Sequence, residues 1–320
     1  MGLGVTNVTI GSNGTSTTDV YLYKPNGSLL TPLMVGTLGG DMDPPPLPTA
    51  GTYTIVVDPR INTGSATLTL SQDLVGAITV DGPSVTTTIT RAGQNARYTF
   101  NGAVSQRVGL GLTSVTIGSI GSSTTDVSLL RPDGLLLTSL EVGTLGGHMD
   151  PPPLPTAGTY TIVVDPRINT GSATLTLSQD LVGTITLDGP SVTTTISRAG
   201  QNARFTFDGT AGQQVSLNMT DVTIGPSTCC STTVSTLDPS GTVLASRQVG
   251  TSGGSLNATL ASTGTHTIRL DPGINTGNMT LTLTVVSGSL PSPEERPINP
   301  GILCTRPGFV ILRRSPRIGS

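Results

Sequence analysis

Apolar and polar residues alternate with a period of two, in short bursts, along most of this chain. In ARYTFNG, Ala96 to Gly102, Tyr98 and Phe100 fall on one face and Thr99 on the other, and in ARFTFDG, Ala203 to Gly209, Phe205 and Phe207 take the same places. Successive side chains of a strand point to opposite faces, so these segments predict strands with the aromatic pair in a core and the Thr in water. Val108, Leu110 and Leu112 alternate with Gly109 and Gly111, which predicts a strand with an almost bare outer face. Tyr160, Ile162 and Val164 line one face of TYTIVV, and Ala173, Leu175 and Leu177 one face of the strand after it. The apolar residues are mostly Val, Ile and Leu interleaved with Thr, and the repeats carry no helical period.

Turn residues punctuate these bursts. GAITV and SVTTTITR form an opening strand pair around the turn Asp81 to Pro83, where Gly82 tolerates positive φ and Pro83 fixes its own. RPDG at Arg131, KPNG at Lys24 and DPSG at Asp238 keep Pro second and Gly fourth, so what repeats there is geometry rather than side-chain chemistry. About eight short strands at this turn spacing read as a sandwich.

The pattern occurs three times. Met42 to Gly76 and Met149 to Gly183 are the same 35 residues letter for letter, and a drifted version of their centre, GTHTIRLDPGINTGNMTLTL, spans Gly264 to Leu283. The spacing is 107 residues, then 106, which is close to the size of an independent domain and too long for a solenoid unit. The expected fold is therefore all-β: tandem antiparallel β-sandwich domains, jelly-roll or immunoglobulin-like, of about 107 residues, arranged as beads rather than a stack. Residues 1–74 form a partial sandwich, 75–181 and 182–288 complete ones, and 289–320 a disordered tail. Residues matching Val75 to Arg107 have no counterpart before Met1, which stands where the other copies have Val108 and Val215. The first copy is thus expected to be truncated, with Met1 not the natural start and with open edges that aggregate or capture a strand.

Composition narrows the class. Charged residues are 11%, aromatics 3% and Trp absent, yet mean hydropathy is slightly positive, which is not a disordered composition. The net charge of −3 divides into 17 acidic against 11 basic residues over 1–287, and two acidic against five Arg in the last 33. A mildly acidic repeat region disfavours nucleic acid. No segment approaches the roughly 20 apolar residues of a membrane span, so no membrane insertion is expected. The Gly2/Thr6 match to a myristoylation pattern is accidental, because MGLGVT aligns with the strand VGLGLT at Val108.

The segments ARFTFDGTAGQQVSL (Ala203 to Leu217), DVSLLRPDG (Asp126 to Gly134) and LPTAGTYTIVVDP (Leu154 to Pro166) together resemble the bacterial pre-peptidase C-terminal domain and its relatives. The likeness covers nearly all of residues 1–287. It implies β-sandwich modules appended to secreted bacterial proteins, often peptidases, or strung in tandem on surface proteins. Some members bind collagen with calcium, but no position here matches their functional residues, and no peptidase accompanies the repeats.

Candidate chemistry is sparse. His148 aligns with Asp41 and Ser255, and His266 with Tyr53 and Tyr160, so neither is a repeated catalytic group, and no nucleophile motif surrounds them. Asp58, Asp165 and Asp271 recur in DPxINTG with Asn62, Asn169 and Asn275 four residues on. These oxygens suit either calcium or an Asx-stabilised turn, and one carboxylate per loop favours the turn. Cys229 and Cys230 are adjacent, with Cys304 in the tail; a disulfide between neighbours, a link to Cys304 or free thiols are all open. Six glycosylation sequons, at Asn7, Asn13, Asn26, Asn218, Asn257 and Asn278, are what chance gives in so Thr-rich a chain. The expected function is a non-catalytic spacer or stalk of a bacterial secreted or cell-surface protein, with no cofactor and no metal. The rivals are a carbohydrate- or matrix-protein-binding module and accessory domains of a secreted enzyme.

Overall fold

The computed structural model describes residues 1–11, 18–118, 125–225 and 232–286, and these form β-strands with no helix among them. In the second copy, one sheet runs Leu136–Val142, Thr125–Leu130, Gly158–Asp165, Ala96–Gly102, Leu74–Ala77. The other runs Gly147–Met149, Val108–Thr113, Gly171–Gln179, Val85–Ile89. All neighbours are antiparallel except Leu74–Ala77, which lies parallel to Ala96–Gly102. The inner faces enclose one core in which Tyr98 and Phe100 are 8% and 4% exposed, as the alternation requires. Phe100 stacks on Tyr160 with ring centroids 5.5 Å apart, and the Tyr160 hydroxyl donates to the Thr156 carbonyl at 2.7 Å, so the phenol is buried without an unpaired polar tip.

The third copy repeats both sheets in the same order. Leu181–Thr184, Ala203–Gly209, Gly264–Asp271, Thr232–Leu237 and Val243–Val249 form one, and Val192–Ile196, Gly277–Val285, Gln214–Thr220 and Gly254–Thr259 the other. The protein is thus an all-β chain of tandem sandwiches, each copy with its own apolar core.

The first copy has three-stranded sheets among the described residues: Gly40–Met42, Gly2–Thr6, Thr67–Ser71 and Leu29–Val35, Thr18–Tyr23, Thr54–Asp58. Here the 35 residues shared with the second copy behave differently. Gly158–Asp165 and Gly171–Gln179 have eight and nine residues in strand, while their twins Thr54–Asp58 and Thr67–Ser71 have five each. Leu175 and Leu177 are 0% and 2% exposed, and the identical Leu68 and Leu70 are 42% and 49% exposed.

Several sequence expectations change in detail. GAITV and SVTTTITR do not form a strand pair, because Leu74–Ala77 and Val85–Ile89 belong to opposite sheets and the turn between them carries the chain across the sandwich. Within that turn the left-handed residue is Asp81, at φ 59°, rather than Gly82. Asp81 is held there by its amide donating to the Leu177 carbonyl at 3.0 Å and its carboxylate accepting from the Gln179 amide at 3.0 Å. A Cβ at Gly82 would instead meet the Thr79 Cβ at 2.7 Å, so crowding explains this glycine. Among its described residues the second copy has nine strands rather than about eight. Cys229, Cys230, Cys304 and the tail 289–320 lie outside the described residues.

Candidate site at the junctions between repeats

The copies are not beads on loose links. Val108–Thr113 does carry a nearly bare outer face, but Gly109 and Gly111 are buried, because the backbone of Ala199 and Gly200 from the next copy lies on them. A Cβ at Gly111 would sit 2.5 Å from the Ala199 carbonyl carbon. Gly4 meets Ala92 in the same way at the preceding junction, again at 2.5 Å. Glycine is required here because two backbones touch.

The docking element is the segment RAGQNAR, Arg91 to Arg97 and Arg198 to Arg204, identical in both copies. Asn95 donates from Nδ2 to Asp43 at 2.8 Å, and Asn202 to Asp150 at 2.8 Å. Arg91 Nε donates to the Ser71 hydroxyl at 3.0 Å and Arg198 Nε to Ser178 at 2.8 Å. Gln94 and Gln201 donate to the carbonyls of Gln72 and Gln179 at 3.1 and 3.3 Å. Arg97 pairs with Asp73, and Arg204 with Asp180, both at 2.6 Å. Each bond is made between one copy and the copy before it, and each is made twice. Gln94, Asn95, Gln201 and Asn202 are buried, and their amide donors find acceptors on the previous copy, so another docking geometry would leave those donors unpaired.

Beside this segment, the DPxINTG loop of one copy meets the acidic strand of the previous one. Asp41, Asp43 and Asp165 bring carboxylate oxygens within 4.8 Å of one another, and His148, Asp150 and Asp271 do the same at the next junction. The turn within the loop is built as expected. Asp58, Asp165 and Asp271 accept from the amides two residues on, at 2.8, 2.7 and 3.1 Å, and Asn62, Asn169 and Asn275 donate to the carbonyls of Pro59, Pro166 and Pro272. What the sequence did not reveal is that Asp165 and Asp271 also face acids about 120 to 125 residues away, which only the junction brings close.

Charge crowding follows. Burial, together with the nearby Asp43 and Asp41, pushes the Asp165 carboxyl up to about 7. Burial and Asp43 raise Asp41 as well. In the second junction His148 replaces Asp41 and lies 3.2 Å from Asp271. That hydrogen bond raises the imidazole above its ordinary value against the cost of burial, and although burial works to raise Asp271, the bond to His148 brings it below the usual carboxylate range. Asp150 is pushed up to about 6 by burial and by Asp271. Three carboxylates supply three of the six to eight oxygens that calcium takes, so the first cluster alone falls short of a calcium shell.

His266 has no part in any junction. Its ring is fully buried, stacked on Phe207 at 5.3 Å with Nδ1 2.9 Å from the Gly264 carbonyl, and it fills the place of Tyr160. The features that could have exposed the junction in sequence were a polar heptapeptide kept intact between copies and a Gly-x-Gly strand. The third copy supports that link, since it has Ser216 and Asn218 in place of Gly109 and Gly111 and Asn257 in place of Asp150, and Asn218 is exposed.

No family model and no curated protein matches the chain. Among solved structures it is similar to PliG, a periplasmic inhibitor of g-type lysozyme from Aeromonas hydrophila, at 11% identity and a TM-score of 0.23, covering 32% of this chain and 98% of that one. It is also similar to the CUB1-EGF-CUB2 domains of human MASP-1/3 at 8% identity and a TM-score of 0.21, covering 63% and 98%, and to those of rat MASP-1 at 8% and 0.21, covering 65% and 99%. Likeness this distant carries no argument about fold or activity. Among the described residues no helix is long and apolar enough to cross a membrane.

Proposed function

We propose that this chain is a non-catalytic spacer, a stack of β-sandwiches that sets a fixed separation between what lies at its two ends, in a secreted or cell-surface bacterial protein. The observation that supports this is the duplication of the junction. RAGQNAR, its Asp and Ser partners and the Gly-x-Gly strand recur at both junctions with bond lengths agreeing within about 0.2 Å. In a repeat chain each unit touches only its neighbours, so a junction built the same way twice sets the separation of the ends. The resemblance to pre-peptidase C-terminal modules is in keeping with an extracellular setting.

The test is a distance measurement between spin labels at the exposed Thr88 and Thr195, in a chain whose three cysteines are replaced by Ser. One narrow distance distribution is expected. A broad distribution typical of freely jointed domains would remove the basis for a spacer. Binding on an array of glycans and matrix proteins would favour the alternative, a carbohydrate- or matrix-protein-binding module.

A further inference from the structure

We propose that the cavity where the second and third copies meet is a binding site for a doubly charged oxyanion, a sulfate or phosphate group, free or carried on a sugar. This does not rest on the spacer reading. All the residues that build the site come from the second and third copies.

The cavity has a volume of about 450 Å³. It is lined by Val182, Thr184, Arg204, Thr206 and Thr267 on the face of the third copy's sheet turned away from the core, and by Arg107 of the second copy. Arg204 stands opposite Arg269 on the neighbouring strand, so three guanidinium groups gather at one place. Asp180 lies among them and takes Nε of Arg204 at 2.6 Å. Asp271, two residues beyond Arg269, is engaged by His148 at 3.2 Å and by the Gly273 amide at 3.1 Å. Among the described residues Arg107 and Arg269 make no ion pair and no side-chain hydrogen bond, and Nε of Arg269 is buried. Partial burial and the charge of Arg204 hold the Arg107 guanidinium below its ordinary value against the pull of Asp180, and Arg269 adds to that lowering. Three guanidinium charges against the one carboxylate of Asp180 leave a surplus of two, which a dianion neutralises.

The second copy shows that the fold does not need this arrangement. There Arg97, the equivalent of Arg204, stands opposite Val163, which is 9% exposed, and Ala77 takes the place of Thr184. Like charges at opposed strand positions destabilise a sheet, and a buried donor without an acceptor costs more than an apolar side chain in its place. Arg269 therefore weakens the sheet that holds it unless an anion supplies the missing acceptors. Sulfate and phosphate oxygens meet a guanidinium fork two at a time. The volume is in the range of small-molecule sites, and the three Thr hydroxyls offer donors and acceptors to a sugar that carries the anion.

The test is an amide chemical-shift titration of the full chain with sodium sulfate, and with glucose 6-sulfate against glucose, at an ionic strength held constant with sodium chloride. Resonances of residues 107, 182–184, 204–206 and 267–269 should follow a saturating curve with both sulfates and stay in place with glucose. Tighter binding of glucose 6-sulfate than of inorganic sulfate would identify the sugar ester as the source of the anion, and the reverse order the free ion; either supports the site. Arg107→Gln and Arg269→Val install the residues that other copies carry there, Gln214 and Val163, and each should weaken binding at least fivefold. Arg247→Gln, the same loss of charge elsewhere in the third copy, should weaken it less than twofold. Without sulfate, Arg269→Val should melt above the parent, and it should lack the rise that the parent shows at saturating sulfate. Unchanged shifts in residues 277–285 would show that this variant keeps its fold. Shifts that never saturate, equal binding by all three variants, or a lower melting temperature of Arg269→Val without sulfate overturns the proposal.

Discussion

Tyr98, Thr99 and Phe100 show how much one alternation decides. The two rings lie in the core and the Thr between them does not, so Phe100→Ala should cost about 3–5 kcal/mol and Thr99→Ala under about 1, read from chemical denaturation of the second copy's transition. Equal losses would place the strand in the wrong register. His266 offers the converse. It occupies a tyrosine site, its Nε2 is buried without a hydrogen-bond partner, and Tyr160 at the equivalent place donates to a backbone carbonyl. His266→Tyr should therefore stabilise the third copy by about 1 kcal/mol, as a hydroxyl reaches the Ser262 carbonyl and the unpaired nitrogen disappears. A loss of stability would mean that the imidazole has a partner the equivalent tyrosine cannot reproduce.

At the scale of the elements, the junction rests on a strand that two backbones share. Gly111→Val would push a side chain into the Ala199 carbonyl, so it should loosen the second junction and broaden the distance between labels at Thr88 and Thr195. Asn218→Val, at the matching but exposed position of the third copy, should leave that distance unchanged. The carboxylates beside the strand give a pH dependence with a definite sign. Asp165 ionises near 3.8 when unfolded and about 7 when folded, so between those values the native state holds a proton that the unfolded state has released. Stability from this group is full below about pH 4, falls as pH rises toward 7, and is level above. His148, raised above 6.5, contributes stability that is present below 6.5 and lost as pH rises through its folded value. Both junctions should therefore melt earlier at pH 8 than at pH 5. Asp165→Asn keeps an oxygen for the Arg167 amide and removes the charge, so its melting temperature should exceed the parent's at pH 8 and match it near pH 4. A variant that tracks the parent at every pH would show that Asp165 is not crowded.

For the chain taken entire, the class of fold, the repeat and the strand faces follow from local patterns of residues alone. Period-two alternation and turn chemistry are local, so Tyr98 with Phe100 inside and RPDG at a turn could be read without a partner in view. The tertiary structure decided everything that depends on residues distant along the chain. It put Leu74–Ala77 and Val85–Ile89 on opposite sheets, turned the bare glycine face into a contact between copies, and set Asp165 beside Asp41 and Asp43. The 35 residues that occur twice make the division plain. Their sequence is one, yet Leu68 and Leu70 are half exposed while Leu175 and Leu177 are buried. A strand's own residues fix which face is apolar, but burial of that face depends on a neighbouring strand, and the neighbour is chosen by the fold.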